Sequence, residues 1–401
     1  MRNSILSKIS LVFRFIFFSP IAILIILVYP FYKIKIFEIE SRLIGHFSHP
    51  VEIFLCEIDQ GIHNKEREIY LWVPNKLISN KFLLKKWKEV MVIVPEFIFY
   101  PIFYFFKYFN LSHFLIPYRH WSTHHKALIQ AVDLHNVLVK SRPKIILKPY
   151  EINQGKIFLK KQNLSENDKF VCFFARDPYF HPNIKNGLYR NSLRDSSILT
   201  QIPAMEHLSK NKYKIFRVGS TFGEKLPFIN DKVIDYAHSN FKSDFLDIFL
   251  LMQCEFMVST GSGIDSVPLL NRKKVLLVNY SHPLETIDNF FYPLFITKKY
   301  KSLPSGDLIP YSQVYEKKLY LIQNLSELER NGYGLVDNSE LEILEAVVDM
   351  EKHINNDYHQ TNDLKYLRKK FSDIYFRFFN YRIKNISMCE SFIIRNQSLI
   401  N

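Results

Sequence analysis

EFMVSTGSGIDSVPLLNRKKVLLVN, residues 255–279, is the stretch on which the reading of this chain turns. An apolar run ends in Thr260-Gly261-Ser262-Gly263, a short segment follows, and a second apolar run begins. Strand, tight turn, helix and strand in that order make one βαβ unit, and short apolar runs bounded by turn residues are the pattern of buried parallel strands. The chain has only 11 glycines in 401 residues, so two of them flanked by hydroxyls at one turn call for a reason.

Outward from this turn the same alternation continues. KFVCFFARDP (169–178) reads as a strand, and RDSSILTQIPAMEHLSKNKY (194–213) as a helix capped by Asp195 or Ser196. YKIFRVGS (213–220) and KVIDYA (232–237) read as strands, and SDFLDIFLLMQC (243–254) as a helix. An earlier series runs KIKIFEIE (33–40), an apolar helix, EIYLWVP (68–74), the amphipathic NKFLLKKWKEV (80–90) and VMVIVPEF (90–97). Strands alternating with helices predict parallel sheets, here in two α/β domains. The Pro- and Lys-rich segment 140–170 marks their boundary. The expected division is an anchor over 1–32, an N-terminal Rossmann-like domain over 33–150, a C-terminal one over 151–340 and a helical segment over 341–401. The helix leading into that segment, SELEILEAVVDMEKHI (339–354), opens with a capping box, Ser339 to Glu342.

Composition narrows the partners. A hydrophobic content of 47% with 23% charged residues is that of a globular protein with a substantial core. The four cysteines, Cys56, Cys172, Cys254 and Cys389, form no CxxC pair, which favours a reducing compartment. A net charge of +14 calls for an anionic partner: a phosphorylated substrate or an anionic membrane surface. The basic residues are dispersed and form no nucleic-acid-reading motif, so no nucleic-acid partner is expected.

From Phe15 to Tyr32 no residue is charged, close to the ~20 residues that span a bilayer. This predicts an N-terminal membrane anchor, with a helix lying at the interface as the alternative. The aromatic IFYPIFYFFKYFN (98–110) reads either as a buried helix or as a membrane-surface patch.

The Thr-Gly-Ser-Gly turn has two readings. One is a tight turn with a helix cap. The other is a cradle for a pyrophosphate at the carboxyl end of a parallel strand, where the glycines let phosphate approach the backbone and the hydroxyls donate to it. It has neither P-loop nor GxGxxG spacing. Its neighbours favour the cradle: Arg176 and Asp177 follow one strand end, Arg190 precedes a helix, and Arg217 and Gly219 lie at a third strand end. Guanidinium groups neutralise phosphates. Asp244 and Asp247 read first as a helix start. No DxD triplet is present, and His120, His124, His125 and His135 match no zinc signature, so no metal is expected.

FARDP, the segment 190–220, VIDYA and KSDFLDIFLLMQCEFMVSTGSG together resemble a family of bacterial glycosyltransferases of surface-polysaccharide synthesis. The resemblance extends to SRLIGHFSH near the N-terminus and covers roughly residues 35–300. The order Arg-Asp, Arg-x-Gly, Ser-Gly also resembles the donor half of GT-B enzymes such as the fucosyltransferases. The resemblance implies two Rossmann-like domains facing a cleft, with no cofactor beyond a nucleotide-sugar donor and no metal. It implies Arg176, Arg217, Ser262 and Gly263 at the donor diphosphate, and Asp235 and Asp247 at base or ribose. On the acceptor side it implies Arg42, Gly45 and His46, with His46 the general base. The expected activity is sugar transfer to a saccharide or lipid-linked acceptor at the cytoplasmic face of the inner membrane. A pyruvyl or phosphoryl transferase on the same scaffold, and a non-catalytic scaffold protein of a polysaccharide assembly complex, are the alternatives.

Overall fold

The computed structural model describes residues 2–63, 68–116, 133, 135–177, 192–219, 223–228, 230–281, 291–322, 324–357, 359–380 and 387–401, with side chains from residue 13 onward. The chain divides into two compact units, Met1–Ile146 and Leu147–Asn401.

In the first unit the order is α1 (Arg2–Val28), β1 (Lys33–Ile39), α2 (Ile44–Asp59), β2 (Glu68–Pro74), α3 (Lys81–Trp87), β3 (Val92–Ile93), α4 (Glu96–Tyr108) and α5 (Val137–Lys140). The strands pair in parallel in the order β1-β2-β3, and Leu115 bridges in parallel to Ile36 of β1. Successive side chains face opposite sides of a strand, and both sides of this sheet are covered. Phe37 and Trp72 pack on Phe54 of α2, while Ile36 and Val73 join Ile102 and Phe106 of α4. Trp87 is fully buried, and its indole N–H donates to the Phe47 carbonyl at 2.8 Å. The strand expected over 90–97 shrinks to two residues, because Pro95 cannot donate to a ladder and instead precedes α4.

The expected anchor forms the helix α1, which docks side-on against α4. Ala22 and Ile25 are buried in that seam, and Phe15 stacks on Phe105 at 4.2 Å. Among the described residues no helix is long and apolar enough to cross a membrane.

The second unit begins with α6 (Pro149–Lys161), so the presumed boundary segment holds a helix with Pro149 at its first position. Then follow β4 (Lys169–Phe173), α7 (Ile202–Lys210), β5 (Tyr213–Arg217), β6 (Val233–Ile234), α8 (Asp244–Gln253), β7 (Phe256–Ser259), α9 (Ser266–Leu270), β8 (Lys274–Tyr280) and β9 (Leu294–Thr297). These six strands form one parallel sheet in the order β6-β5-β4-β7-β8-β9. Numbered within the sheet, that is 3-2-1-4-5-6, the doubly wound order. The strands are buried along nearly their whole length, which is why the sequence shows apolar runs instead of alternation.

Among the described residues, an antiparallel pair, β10 (Lys299–Ser302) with β11 (Tyr333–Val336), and five further helices follow: α10 (Tyr311–Glu316), α11 (Leu325–Arg330), α12 (Glu340–Ile354), α13 (Asn362–Phe379) and α14 (Glu390–Arg395). The C-terminal helices belong to this unit, since α12 packs on α7, β8 and β9. The Ser339–Glu342 capping box forms. The cap expected at Asp195 or Ser196 is Ser197, which accepts from Leu199 N–H; Asp195 is turned to other partners.

Helices α6 and α8 cross closely at Gly155, where a Cβ would lie 2.1 Å from the buried Phe249 ring. Gly155→Ala should therefore destabilise the chain by ~1–3 kcal/mol through overpacking, although alanine is the better helix former by ~1 kcal/mol. Equilibrium denaturation of the full chain reads the sign. A stabilised variant would show that the crossing is loose.

Candidate functional site

In a doubly wound sheet the connections leave the two central strands toward opposite faces, opening a crevice at their carboxyl ends. Here those strands are β4 and β7. Phe174 N–H donates to Val258 O at 2.9 Å, extending the pairing beyond β4, and Arg176 N–H donates to Thr260 Oγ1 at 2.9 Å. The Arg-Asp and Thr-Gly-Ser-Gly segments, 84 residues apart, are thus tied across the switch point of the sheet.

The glycine question resolves locally. Gly261 has φ +78°, and a Cβ on it would sit 2.7 Å from the Tyr280 ring, so both conformation and space require glycine. Gly263 opens a single 3₁₀ turn ahead of α9. Ser259 and Thr260 are fully buried, whereas Ser262 and Gly263 are half-exposed and form the accessible edge of the turn.

Beneath this edge lies Asp265, which the sequence reading passed over. It accepts from Ser262 N–H at 2.7 Å and from the Ser259 hydroxyl. The spacing Ser262-x-x-Asp265 is a capping-box signature, and that signal was available in the sequence. Burial pushes the Asp265 carboxyl up to about 7, against the pull of Ser259, Ser262 and Arg194.

Two cations back the crevice. The Arg176 side chain is 6% exposed, and its Nε donates to Asp195 Oδ1 at 3.2 Å. Lys298, just past β9, reaches the Asp195 carbonyl at 2.6 Å and pairs with Asp337 at 2.8 Å. Burial raises the Asp195 carboxyl, with Arg176 and Lys298 pulling the other way. Asp195 is the pivot, since its other carboxyl oxygen accepts from Ser192 N–H at 3.1 Å.

A second cluster occupies the ends of β5 and β6. Arg217 is 2% exposed, and its NH1 lies 3.5 Å from Asp235 Oδ1 and 3.2 Å from His238 Nδ1. His238 is 2.9 Å from Asp235, which also accepts from Leu226 N–H. A Cβ on Gly223 would fall 2.2 Å from Asp177 Oδ2 and 3.0 Å from Arg217 NH2, so Asp177 joins the same group. Burial lowers the Arg217 pKa, and Asp235 and Asp177 oppose that. Its guanidinium is thus engaged by protein acids within the loop cluster. Gly219 has φ +127° and lies against Phe174. Asp247 sits apart in the first turn of α8, behind the cap Ser243, and pairs with Lys242 at 2.6 Å.

In the first unit Arg42 makes a two-pronged pair with Glu40, at 2.7 and 2.6 Å. Burial raises the Glu40 carboxyl, but Arg42 outweighs it, with His46 adding to the lowering, so Glu40 stays below the usual range. Gly45 is buried and His46 half-buried in the first turn of α2. Arg190, His120, His124 and His125 lie outside the described residues. Among the described residues no cluster of three or more His, Cys, Asp or Glu side chains is arranged to hold a metal ion.

No protein-family model and no curated protein matches the sequence. Among solved structures the chain is similar to a family 9 glycosyl transferase from Veillonella parvula, at 11% identity and TM-score 0.43 over 81% of this chain and 98% of that one. It is also similar to the ADP-heptose heptosyltransferase II of E. coli, at 11% identity and TM-score 0.32 over 61% and 84% of the two chains. A third likeness is to the wall teichoic acid polymerase TagF, at 12% identity and TM-score 0.27 over 81% and 89%. Likeness at this level carries no conclusion about activity.

Asp265 gives a sign that solution measurement can check. An aspartate with a folded pKa of about 7 against an ordinary value of 3.8 holds its proton more tightly in the native state. Its contribution is present at low pH and lost as pH rises through that window, by at most ~1.4 kcal/mol per pH unit. Asp265→Asn can keep both contacts, accepting from Ser262 and donating to Ser259. Relative to the parent, the variant should gain stability steadily from about pH 4 to pH 7. A stability difference that does not move with pH would contradict the burial of that carboxyl.

Proposed function

We propose that the chain is a glycosyltransferase of the GT-B type, whose second unit holds the diphosphate of a nucleotide-sugar at the β4–β7 switch point. The observation that carries this reading is the tie between Arg176 and Thr260, which sets a half-exposed Ser262-Gly263 edge beside two buried cations. The sequence resemblance to surface-polysaccharide glycosyltransferases, carried in part by the same residues, supports it.

In the reaction an acceptor hydroxyl attacks the anomeric carbon as the bond to the diphosphate oxygen breaks. Negative charge builds on the departing nucleoside diphosphate. Arg176 and Lys298, fixed by Asp195 and Asp337, supply positive potential without reorganising as that charge develops, and each such group is worth ~10²–10³ in rate. The Ser262 hydroxyl and the Gly263 edge receive the phosphate oxygens. With this charge supplied by side chains, the transfer requires no metal. Arg217 acts as a positioning residue, bracing the β5 and β6 loops through Asp235 and His238 instead of touching phosphate. The acceptor proton passes to a general base, for which the resemblance implies His46, with Arg42 and Gly45 in the same loop. The acceptor is a saccharide or lipid-linked saccharide, and a nucleotide-sugar donor together with four free cysteines supports a place at the cytoplasmic face of the inner membrane.

Thermal melting of the full chain with UDP, GDP, dTDP, ADP and CMP tests the donor site. One nucleoside diphosphate at ~100 times its Kd should add ~2.7 kcal/mol of apparent stability. Ser262→Val keeps the backbone N–H that binds Asp265 while crowding the edge. Losing the capping hydroxyl should cost ~1 kcal/mol without ligand, and the variant should bind that nucleotide at least tenfold more weakly. No shift with any nucleotide in a folded sample would favour the non-catalytic scaffold reading.

A further inference from the structure

α1 is apolar far beyond the strip it buries. The α1 residues packed against α4 and the loop after it, Phe15, Phe18, Ile21, Ala22, Ile25 and Tyr29, recur at helical spacing. At 100° per residue they fall within an arc of about 120°. Phe13, Ile16, Phe17, Ile23, Leu24, Ile26 and Leu27 cover the opposite half of the helix, about 180° of it, and all are exposed. A helix docking into a protein groove needs an apolar stripe of roughly 100°. Half the circumference, with Phe17 at 77% and Leu27 at 65% exposure, suits a fluid apolar medium. The surface continues through Phe31 beyond α1 and through Phe97, Tyr108 and Phe109 on and after α4.

The same geometry argues against a span. Residues 15–29 are held along their length to a folded unit, and β1 starts only five residues after α1 ends, with Ile36 in the same cluster as Ala22 and Ile25. A spanning helix needs ~20 residues with lipid or other membrane-embedded segments all round it. α4, at 13 residues, is too short to accompany it. The sequence of α1 contains no acidic residue, and Arg14, Lys33 and Lys107 lie at the edges of the patch. Arg14 also rests over the Phe97 ring at 5.4 Å.

We infer that α1 and α4 form a one-leaflet platform that lies in the plane of an anionic bilayer surface. The outer half of α1 and the aromatic end of α4 enter the headgroup–acyl boundary, ~5–10 Å deep, and the flanking cations meet anionic headgroups. The inference does not rest on the nucleotide site, and either reading can fail without the other.

The test uses the full chain, transferred from mild detergent to vesicles of phosphatidylcholine alone or mixed with phosphatidylglycerol. Flotation should require the anionic lipid and weaken with salt. An amino-terminal tag should stay open to external protease. Protection of that tag inside the vesicle would mean a span and overturn the inference. Failure to float, with light scattering showing a dimer in solution, would assign the patch to a second copy instead. The double variant Phe17→Glu, Leu27→Glu should float at least tenfold less while keeping the parent's far-ultraviolet spectrum and nucleotide shift. Should that variant not fold, a fluorophore on Phe13→Cys, Phe17→Cys or Leu24→Cys gives a second readout, because all four native cysteines are buried. Each should be quenched more by shallow than by deep nitroxide lipids. A depth that runs progressively across the bilayer from one label to the next would contradict an in-plane helix.

Discussion

The constraint on which the second unit depends is the pairing of β4 with β7. These strands are far apart in sequence, and only two residue pairs of the ladder join them directly. Yet their adjacency fixes everything around it. The chain must build β5 and β6 outward on one side of β4, return through α8, and build β8 and β9 outward on the other side of β7. Right-handed crossovers then send the two series to opposite faces. The crevice between them is a product of topology, and whatever follows β4 and β7 lines it. The Arg176–Thr260 hydrogen bond closes the ladder where it would otherwise fray, and it fixes the Ser262-Gly263 edge relative to Arg176.

Electrostatics explains why this end of the sheet can carry several cations. Arg176, Arg217 and Lys298 are all nearly buried, and an isolated buried charge is costly. Each is met by a carboxylate or a carbonyl: Arg176 by Asp195, Arg217 by Asp235, and Lys298 by Asp337 and the Asp195 carbonyl. The positive potential is thus held in place and can act on an anion without side-chain rearrangement. Asp265 lies below the turn, where burial raises its carboxyl against the pull of Ser259 and Ser262.

The sequence made the second unit largely legible, because doubly buried strands leave unbroken apolar runs and the turn after β7 has its own chemistry. β6 kept two residues of a longer expected strand, since few pairing partners remain at the sheet edge. The helix within 149–161 was obscured by prolines and lysines that suggested a linker, although Pro149 is well suited to a first helical position. The partners of Arg217 were not legible. An arginine at a strand end looks alike in sequence whether it faces solvent or is gripped by Asp235 and His238 from a later loop. Asp265 could have been seen from its spacing to Ser262. The docking of α1 on α4 could not, because apolar content alone does not say whether protein or lipid covers a helix.

Hydrogen–deuterium exchange of the full chain, with and without a saturating nucleoside diphosphate, tests the switch-point site most directly. Exchange should slow in peptides covering residues 174–177 and 259–265, with little change in β1 and β2. Protection confined to residues 1–146, or none at the β4 and β7 ends when binding is saturated, would contradict the assignment of the donor site.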